Sequence, residues 1–403
     1  MPEALAFRAR ACLCGLASAA LLWALAFGAT VAAAQEPAPR HWDQQAAGTL
    51  LVYIERIDSH GLDPSDYEPA ALEQAIASGD ASALERQATE SFSRVAVDLA
   101  VGHVRPGKRG RYYIASDTVD PGRIARLIDT AIAARSVALV LDALAPPNRQ
   151  YAALRAALAR LAPEQAEERR KIEVSLERWR WLPRELGSRH LLVNIPEYRV
   201  RLFEGAREAA SHRIIVGKPQ TPTPQFSAMV NAVILNPSWH VPQSIIAESV
   251  GRLVRTNPSL ARARGYTWAW DKFGKLQVTQ RPGPQNALGQ IKLDMPNAFS
   301  VYLHDTPSKE LFDREDRTFS HGCIRTEAPF DLAVRLLASP EWSRGSIDDA
   351  VAAQRTRRVA LSVPVPVYAV YLTAVSGTDG AVRYLDDPYR LDAAIHAQLN
   401  DGH

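Results

Sequence analysis

At 403 residues, 47% of them hydrophobic, the chain has room for two or three domains and material for a real core. Its 47 Lys and Arg residues are dispersed among 44 Asp and Glu, for a formal net charge of +3. That balance removes the electrostatic case for a nucleic-acid-binding protein and leaves a small acidic substrate or a polymer open.

Arg8 and Arg10 precede an uncharged, Ala- and Leu-rich run, Ala11 to Ala34, that ends in Ala32-Ala33-Ala34. This predicts a secretory signal peptide over residues 1–34. The run is also long enough to remain as an uncleaved membrane anchor. Residues 35–48, with Pro37 and Pro39, read as a linker. Cys12 and Cys14 lie at the start of the apolar run, so neither sits where a lipid would be attached. A processed chain keeps one thiol, Cys323, and has no internal disulfide to make.

Residues 49–188 read as an all-α scaffold. Leu84, Ala88, Phe92, Val95, Ala96 and Leu99 recur at helical spacing, as do Ile124, Leu127, Ile128 and Ile132, then Tyr151, Leu154, Leu158 and Leu161. Pro106-Gly107, Pro121-Gly122 and Pro146-Pro147 mark helix boundaries. No cluster of catalytic residue types occurs here; His60 and His103 read as loop or cap residues. A charged helical connector follows at about Pro163 to Lys171.

From His190 the period changes to alternation. Leu192, Tyr198, Val200 and Leu202 stand among polar neighbours, Glu204-Gly205 makes a turn, and Ile214–Val216 and Asn231–Leu235 are further strands. Such short strands with frequent Gly and Pro predict a sandwich or barrel-like domain over residues 189–376. Residues 245–285 start helical and then carry Tyr266, Trp268, Trp270 and Phe273. Pro329–Leu337 reads as a helix, Val363–Val375 and Ala381–Tyr384 as closing strands, and residues 377–403 as a last strand and tail.

The chemistry concentrates between Tyr302 and Arg325, which hold His304, His321 and Cys323. A lone thiol beside histidines is inert and buried, a metal ligand, or a nucleophile. His-x-Cys is not a usual zinc spacing. A nucleophile needs a base, which His304 supplies if the two segments pair. Gly322 permits a turn that aims consecutive N–H groups at one spot, as an oxyanion hole requires. No phosphate-binding Gly loop or Cys-rich ligand set is present, so no cofactor is expected.

The S-H-G-C-I-R run, with a histidine nineteen positions before the cysteine, resembles the signature of the L,D-transpeptidases of bacterial cell walls, the YkuD type. R-W-R-W-L-P (178–183), N-P-S-W-H-V-P (236–242), G-P-Q-N-A-L-G (283–289) and Y-L-H-D-T-P (302–307) are similar to its large, YcbB-like branch. The resemblance implies an α+β chain: the helical scaffold, then a mixed β-sandwich catalytic domain with residues 245–285 as a cap. It implies Cys323 as nucleophile, His304 as general base and acid, and the N–H groups of Gly322 and Cys323 as oxyanion donors, with Tyr302 as a further donor. His321 is expected to shape the turn and the acceptor side, and Ser320 to support the turn. Arg325 stands where relatives often have Asn; its partner is a carboxylate on the donor or a structural acid. Trp239 is a groove wall or a core residue, and Asp305 is a candidate to orient the imidazole. The partners implied are peptidoglycan peptide stems in the periplasm, other wall-synthesis enzymes through the helical domain, and carbapenem β-lactams as acylating inhibitors. The peptidoglycan-binding module common in this branch is replaced by the short connector.

Overall fold

The computed structural model describes residues 41–115, 117–377 and 380–401. The expected signal segment, and the expected linker up to residue 40, lie outside the described residues.

Helix α1 (Gln44–Glu55) begins inside the stretch read as linker, because Asp43 accepts from Ala46 N and caps it. α2 (Pro69–Ser78), α3 (Ala81–Val101), the two-residue strand β1 (Tyr112–Tyr113), α4 (Pro121–Ala133), α5 (Val137–Asp142), α6 (Arg149–Leu158) and α7 (Ala166–Arg180) follow. Their starts are set by side chains: Asp80, Asp120 and Asn148 each accept a first-turn N–H. Leu84, Ala88, Phe92, Val95, Ala96 and Leu99 all enter one core with Leu50 and Ile54, as their spacing requires.

The second half builds β2 (Arg189–Asn194), β3 (Arg199–Glu204), β4 (Arg207–Gly217) and β5 (Gln225–Leu235), then a separate small layer. That layer contains β6 (Trp239–His240), α8 (Gln243–Ile245), a π-helical turn Ile246–Val250, α9 (Gly251–Thr256), α10 (Pro258–Ala263), β7 (Tyr266–Trp270) and β8 (Leu276–Gln280). It has its own three-stranded sheet, β6-β8-β7, and its own apolar cluster around Trp239, Val250, Tyr266 and Val278. This small layer, the cap layer, begins at Trp239 and takes in most of residues 245–285, the stretch expected to form a cap. Tyr266 is buried in it, whereas Trp270 and Phe273 at the β7–β8 turn are exposed.

The chain then returns through β9 (Ile291–Asp294), β10 (Leu303–His304), β11 (Thr318–Ser320), β12 (Ile324–Thr326), α11 (Pro329–Leu337), α12 (Arg344–Ala352), β13 (Arg357–Val370), β14 (Ala374–Ser376), β15 (Val382–Tyr384) and α13 (Asp392–Leu399). The main sheet runs β1-β5-β13-β2-β3-β4-β12-β10-β9, and β9 also pairs with β5. Eight of the described strands, β5-β13-β2-β3-β4-β12-β10-β9, thus form a closed circuit. Inside lie Leu191, Val193, Val200, Leu202, Ile214, Leu303 and Ile324, with α11 contributing Leu332 and Leu336.

The helical and β regions are joined tightly. β1 pairs in parallel with β5, and Tyr151, Leu154, Ile172 and Leu176 pack against Leu192, Tyr368 and Val370 on the outer face of the sheet. Residues 377–403, read as strand and tail, contain the helix α13. Its Ile395 and Leu399 enter the scaffold core, and Asp392 is held 2.5 Å from Arg178 Nη1 and 2.6 Å from Thr373 Oγ1. His60 and His103, read as loop or cap residues, are buried: His60 Nδ1 lies 3.0 Å from the Tyr151 hydroxyl, and His103 Nδ1 2.9 Å from Asp98. Among the described residues, no helix is long and apolar enough to cross a membrane.

Candidate active site

Strand alternation decides which side chains share the site. β10 and β12 run parallel with Leu303 opposite Ile324 and His304 opposite Arg325, and Ile324 N donates to Tyr302 O at 2.9 Å. Leu303 and Ile324 point into the core, so Tyr302, His304, Cys323 and Arg325 share the outer face, beneath the cap. On the other side of β10, Lys292 stands opposite His304 in antiparallel register. Its neighbours Ile291 and Leu293 enter the core, which puts Lys292 on the same outer face.

His304 is buried and neutral. Its Nδ1–H donates to the Asp305 carbonyl, which leaves Nε2 as the unprotonated nitrogen. Burial pushes its pKa down, to about 3, and the Arg325 and Lys292 cations add to the effect against the Asp305 and Leu288 carbonyls. The Asp305 carboxylate does not orient the ring. It turns away to accept from Gln290 N at 2.8 Å and from Lys309 Nζ, in space kept free by Gly289, where a Cβ would lie 2.3 Å from the Asp305 carboxylate.

Cys323 is a free, half-buried thiol. Burial raises its pKa, while the Tyr302 N–H and hydroxyl, Lys292 and Arg325 favour the thiolate. In this resting arrangement its Sγ lies 3.8 Å from the Ser300 carbonyl, and no hydrogen bond to His304 is formed among the described residues. Adjacent-strand placement leaves the thiol and imidazole one diagonal apart, about 7–8 Å between Cα positions.

The turn before the thiol is held by Ser320. Its hydroxyl donates to Cys323 O at 2.5 Å and accepts from Gly322 N at 3.0 Å. Gly322 itself has φ +112°, closed to other residues without strain, and its carbonyl accepts from Thr223 Oγ1 at 2.8 Å. These contacts correct one expectation: the Gly322 N–H is committed within the turn. Among the described residues the Cys323 N–H has no such partner, and the Tyr302 hydroxyl hydrogen-bonds toward Cys323.

Trp239 is 8% exposed, packs in the cap core and hydrogen-bonds the Tyr302 side chain, so it anchors Tyr302 and is not an open groove wall. His321 is exposed and its Nε2 lies 2.7 Å from Glu248 in the π-helical turn of the cap, which ties the catalytic turn to the cap. Arg325 has no structural acid within ion-pair distance among the described residues; Glu310 acts on it only at longer range. Lys292, Thr223 and Glu248 were not singled out from the sequence. The alternation in Ile291–Asp294 was the available signal for Lys292. Among the described residues no group of three or more His, Cys, Asp or Glu could hold a metal ion.

Residues 188–356 match the family described as the L,D-transpeptidase catalytic domain, YkuD, and residues 33–158 match a family described as a scaffold domain. Over residues 188–356 the chain is therefore similar to the L,D-transpeptidase catalytic domains. A Haemophilus influenzae protein provisionally named an L,D-transpeptidase is 27% identical over 279 residues, which cover 64% of this chain and 56% of that relative. The chain therefore aligns with little more than half of that relative's length. Solved structures include an L,D-transpeptidase from Mycobacterium smegmatis (15% identity, 45% of this chain and 58% of that one, TM-score 0.25). An Enterococcus faecium L,D-transpeptidase is 14% identical over 46% of this chain and 50% of that one, at a TM-score of 0.23. Within the matched stretch, the motif positions 302–304 and 320–325 are the ones the sheet register brings together.

Proposed function

We propose that the protein is a peptidoglycan L,D-transpeptidase with Cys323 as nucleophile. The observation that carries this reading is the common outer face of Tyr302, His304, Cys323 and Arg325, fixed by the parallel register of β10 and β12. The Cys323 sulfur attacks the carbonyl between the L-centre of a diamino acid and a terminal D-alanine, and His304 Nε2 takes the thiol proton. The Cys323 N–H and the Tyr302 hydroxyl hold the oxyanion. As the C–N bond breaks, His304 returns the proton to the leaving amine, which leaves a thioester. A second stem's side-chain amine attacks the thioester, passes its proton to His304, and frees the thiol. One amide is exchanged for another, giving a 3→3 link without an added energy source.

In the resting arrangement the imidazole is free of a proton when the donor arrives, and release of its burial on donor binding brings its pKa back toward the working pH. Carbapenems acylate the same sulfur in this reading, and the enzyme works in the periplasm, with the helical domain as a surface for other wall-synthesis enzymes. Incubation with purified disaccharide-tetrapeptide, followed by mass analysis, tests the proposal. Cross-linked dimer is the expected product; tripeptide alone means water is the acceptor, and a protein-linked stem means attachment of envelope proteins. No product from wild type, or unchanged product from a folded Cys323→Ala variant, contradicts it.

A further inference from the structure

Three basic side chains form one row across adjacent strands: Lys292 on β9, His304 on β10 and Arg325 on β12, each opposite its neighbour. Strands lie about 4.8 Å apart, so the two cations flank His304 across a span of about 10 Å. Lys292 Nζ sits 3.9 Å from the centre of the Tyr302 ring, the ring whose hydroxyl reaches toward Cys323. That contact seats the ammonium on the negative face of the ring.

Lys292 and Arg325 are both half-buried, and among the described residues neither side chain has a hydrogen bond or a carboxylate at ion-pair distance. Asp294, the acid closest in sequence to Lys292, is paired 2.7 Å from Arg358. Other buried cations are paired with an acid: Arg178 with Asp392, Arg180 with Glu177 and Arg201 with Glu197. Arg109 and Arg184 donate to main-chain carbonyls. A half-buried cation without a counter-ion is costly, and two of them beside one nucleophile leave a place for an anion brought by the substrate.

We propose that Lys292, acting with Arg325, recognises a carboxylate of the acyl donor next to the scissile bond and so determines donor specificity. This rests on the acyl-transfer reading above. Two sources share that chemistry: the carboxylate of the leaving residue and a carboxylate on the diamino acid's side chain. A bidentate Arg325 fork on one side and a point charge at Lys292 on the other hold a planar carboxylate over His304.

The test uses two thiol reagents of the same shape, iodoacetate and iodoacetamide, on the full chain, following the Cys323 peptide by mass spectrometry. Taking the ratio of the two rates cancels any change in thiol ionisation. Lys292→Met lowers the iodoacetate-to-iodoacetamide ratio about tenfold, the size expected for losing a charged hydrogen bond, and Lys292→Arg keeps most of it. Lys292→Gln serves if the Met variant does not fold. An unchanged ratio overturns the proposal; so does an equal fall in both rates, which would assign Lys292 to thiolate stabilisation instead. Donor stems carrying a C-terminal carboxamide, or lacking the side-chain carboxylate, identify the group: the wild type rejects one of them and Lys292→Met ceases to discriminate. Failure of wild type to transfer any stem counts against the acyl-transfer reading, while the reagent ratio still decides the role of Lys292.

Discussion

His304 has a cation on each side, and its buried ring stays neutral far below the usual histidine range. Cys323 is pushed the other way, above the ordinary thiol value, because burial outweighs the Tyr302 donors and the two cations. The resting pair is therefore thiol and imidazole, not thiolate and imidazolium. A preformed ion pair gives a thiol that alkylates at a constant high rate from about pH 4 to 8. Here the thiolate fraction grows as pH rises toward a raised pKa, so the rate of alkylation by iodoacetamide keeps climbing past pH 9, with no step near 6.5. A flat plateau at mildly acidic pH contradicts this assignment. Ser320→Ala tests the turn by the rate at which a carbapenem acylates Cys323, followed by intact mass: it leaves the Gly322 N–H unpartnered and loosens Cys323 O. Acylation falls about tenfold or more, matching about 1–3 kcal/mol for an orphaned buried donor. Unchanged acylation would remove Ser320 from the support of the nucleophile.

Among the elements, α13 shows how far the site's support extends. Tyr389, just before it, donates to Gly217 O at 2.6 Å and accepts from Thr223 N at 3.2 Å, and Thr223 in turn holds the Gly322 carbonyl. α13 itself is fastened by the buried Arg178–Asp392 pair and by Ile395 and Leu399 in the scaffold core. Asp392→Ala leaves Arg178 buried without its acid, a loss of about 3–5 kcal/mol. Calorimetry should show Tm lowered by several degrees, with the unfolding of the whole chain affected. A Tm within a degree of wild type contradicts the role given to the pair. The cap contact is of another kind. His321 and Glu248 are both substantially exposed, so their pair contributes little to stability, on the order of 0.2–1 kcal/mol.

At the scale of the whole molecule, scaffold and catalytic regions share a core: α6 and α7 cover the outer face of β2 and β13, and β1 extends the main sheet. Leu154→Ala, at that junction, therefore destabilises both regions together by about 2–5 kcal/mol. One calorimetric transition should move as a unit, with Cys323 protection lost at the same temperature. Two transitions, only one of them shifted, contradict the shared core. The order of helices, then short strands, was legible because apolar spacing and Pro-Gly punctuation are local. Cys323, His304 and Ser320 could be singled out as candidates because they lie in one short stretch of sequence. The closed circuit of strands was not legible, since the β9–β5 pairing joins segments far apart in the chain. Lys292 and the committed Gly322 N–H were hidden for a related reason. Which face a lysine takes, and where an amide points, depend on register with strands that the local pattern does not name.

Mass analysis of the Cys323 peptide during turnover of a tetrapeptide donor tests the central claim most directly. The account predicts a transient thioester on Cys323 carrying the donor without its terminal residue, removed by added acceptor amine and absent from a folded His304→Gln variant. Cross-linked product accompanied by an unmodified Cys323 under trapping conditions, or an acyl group on any other residue, contradicts it.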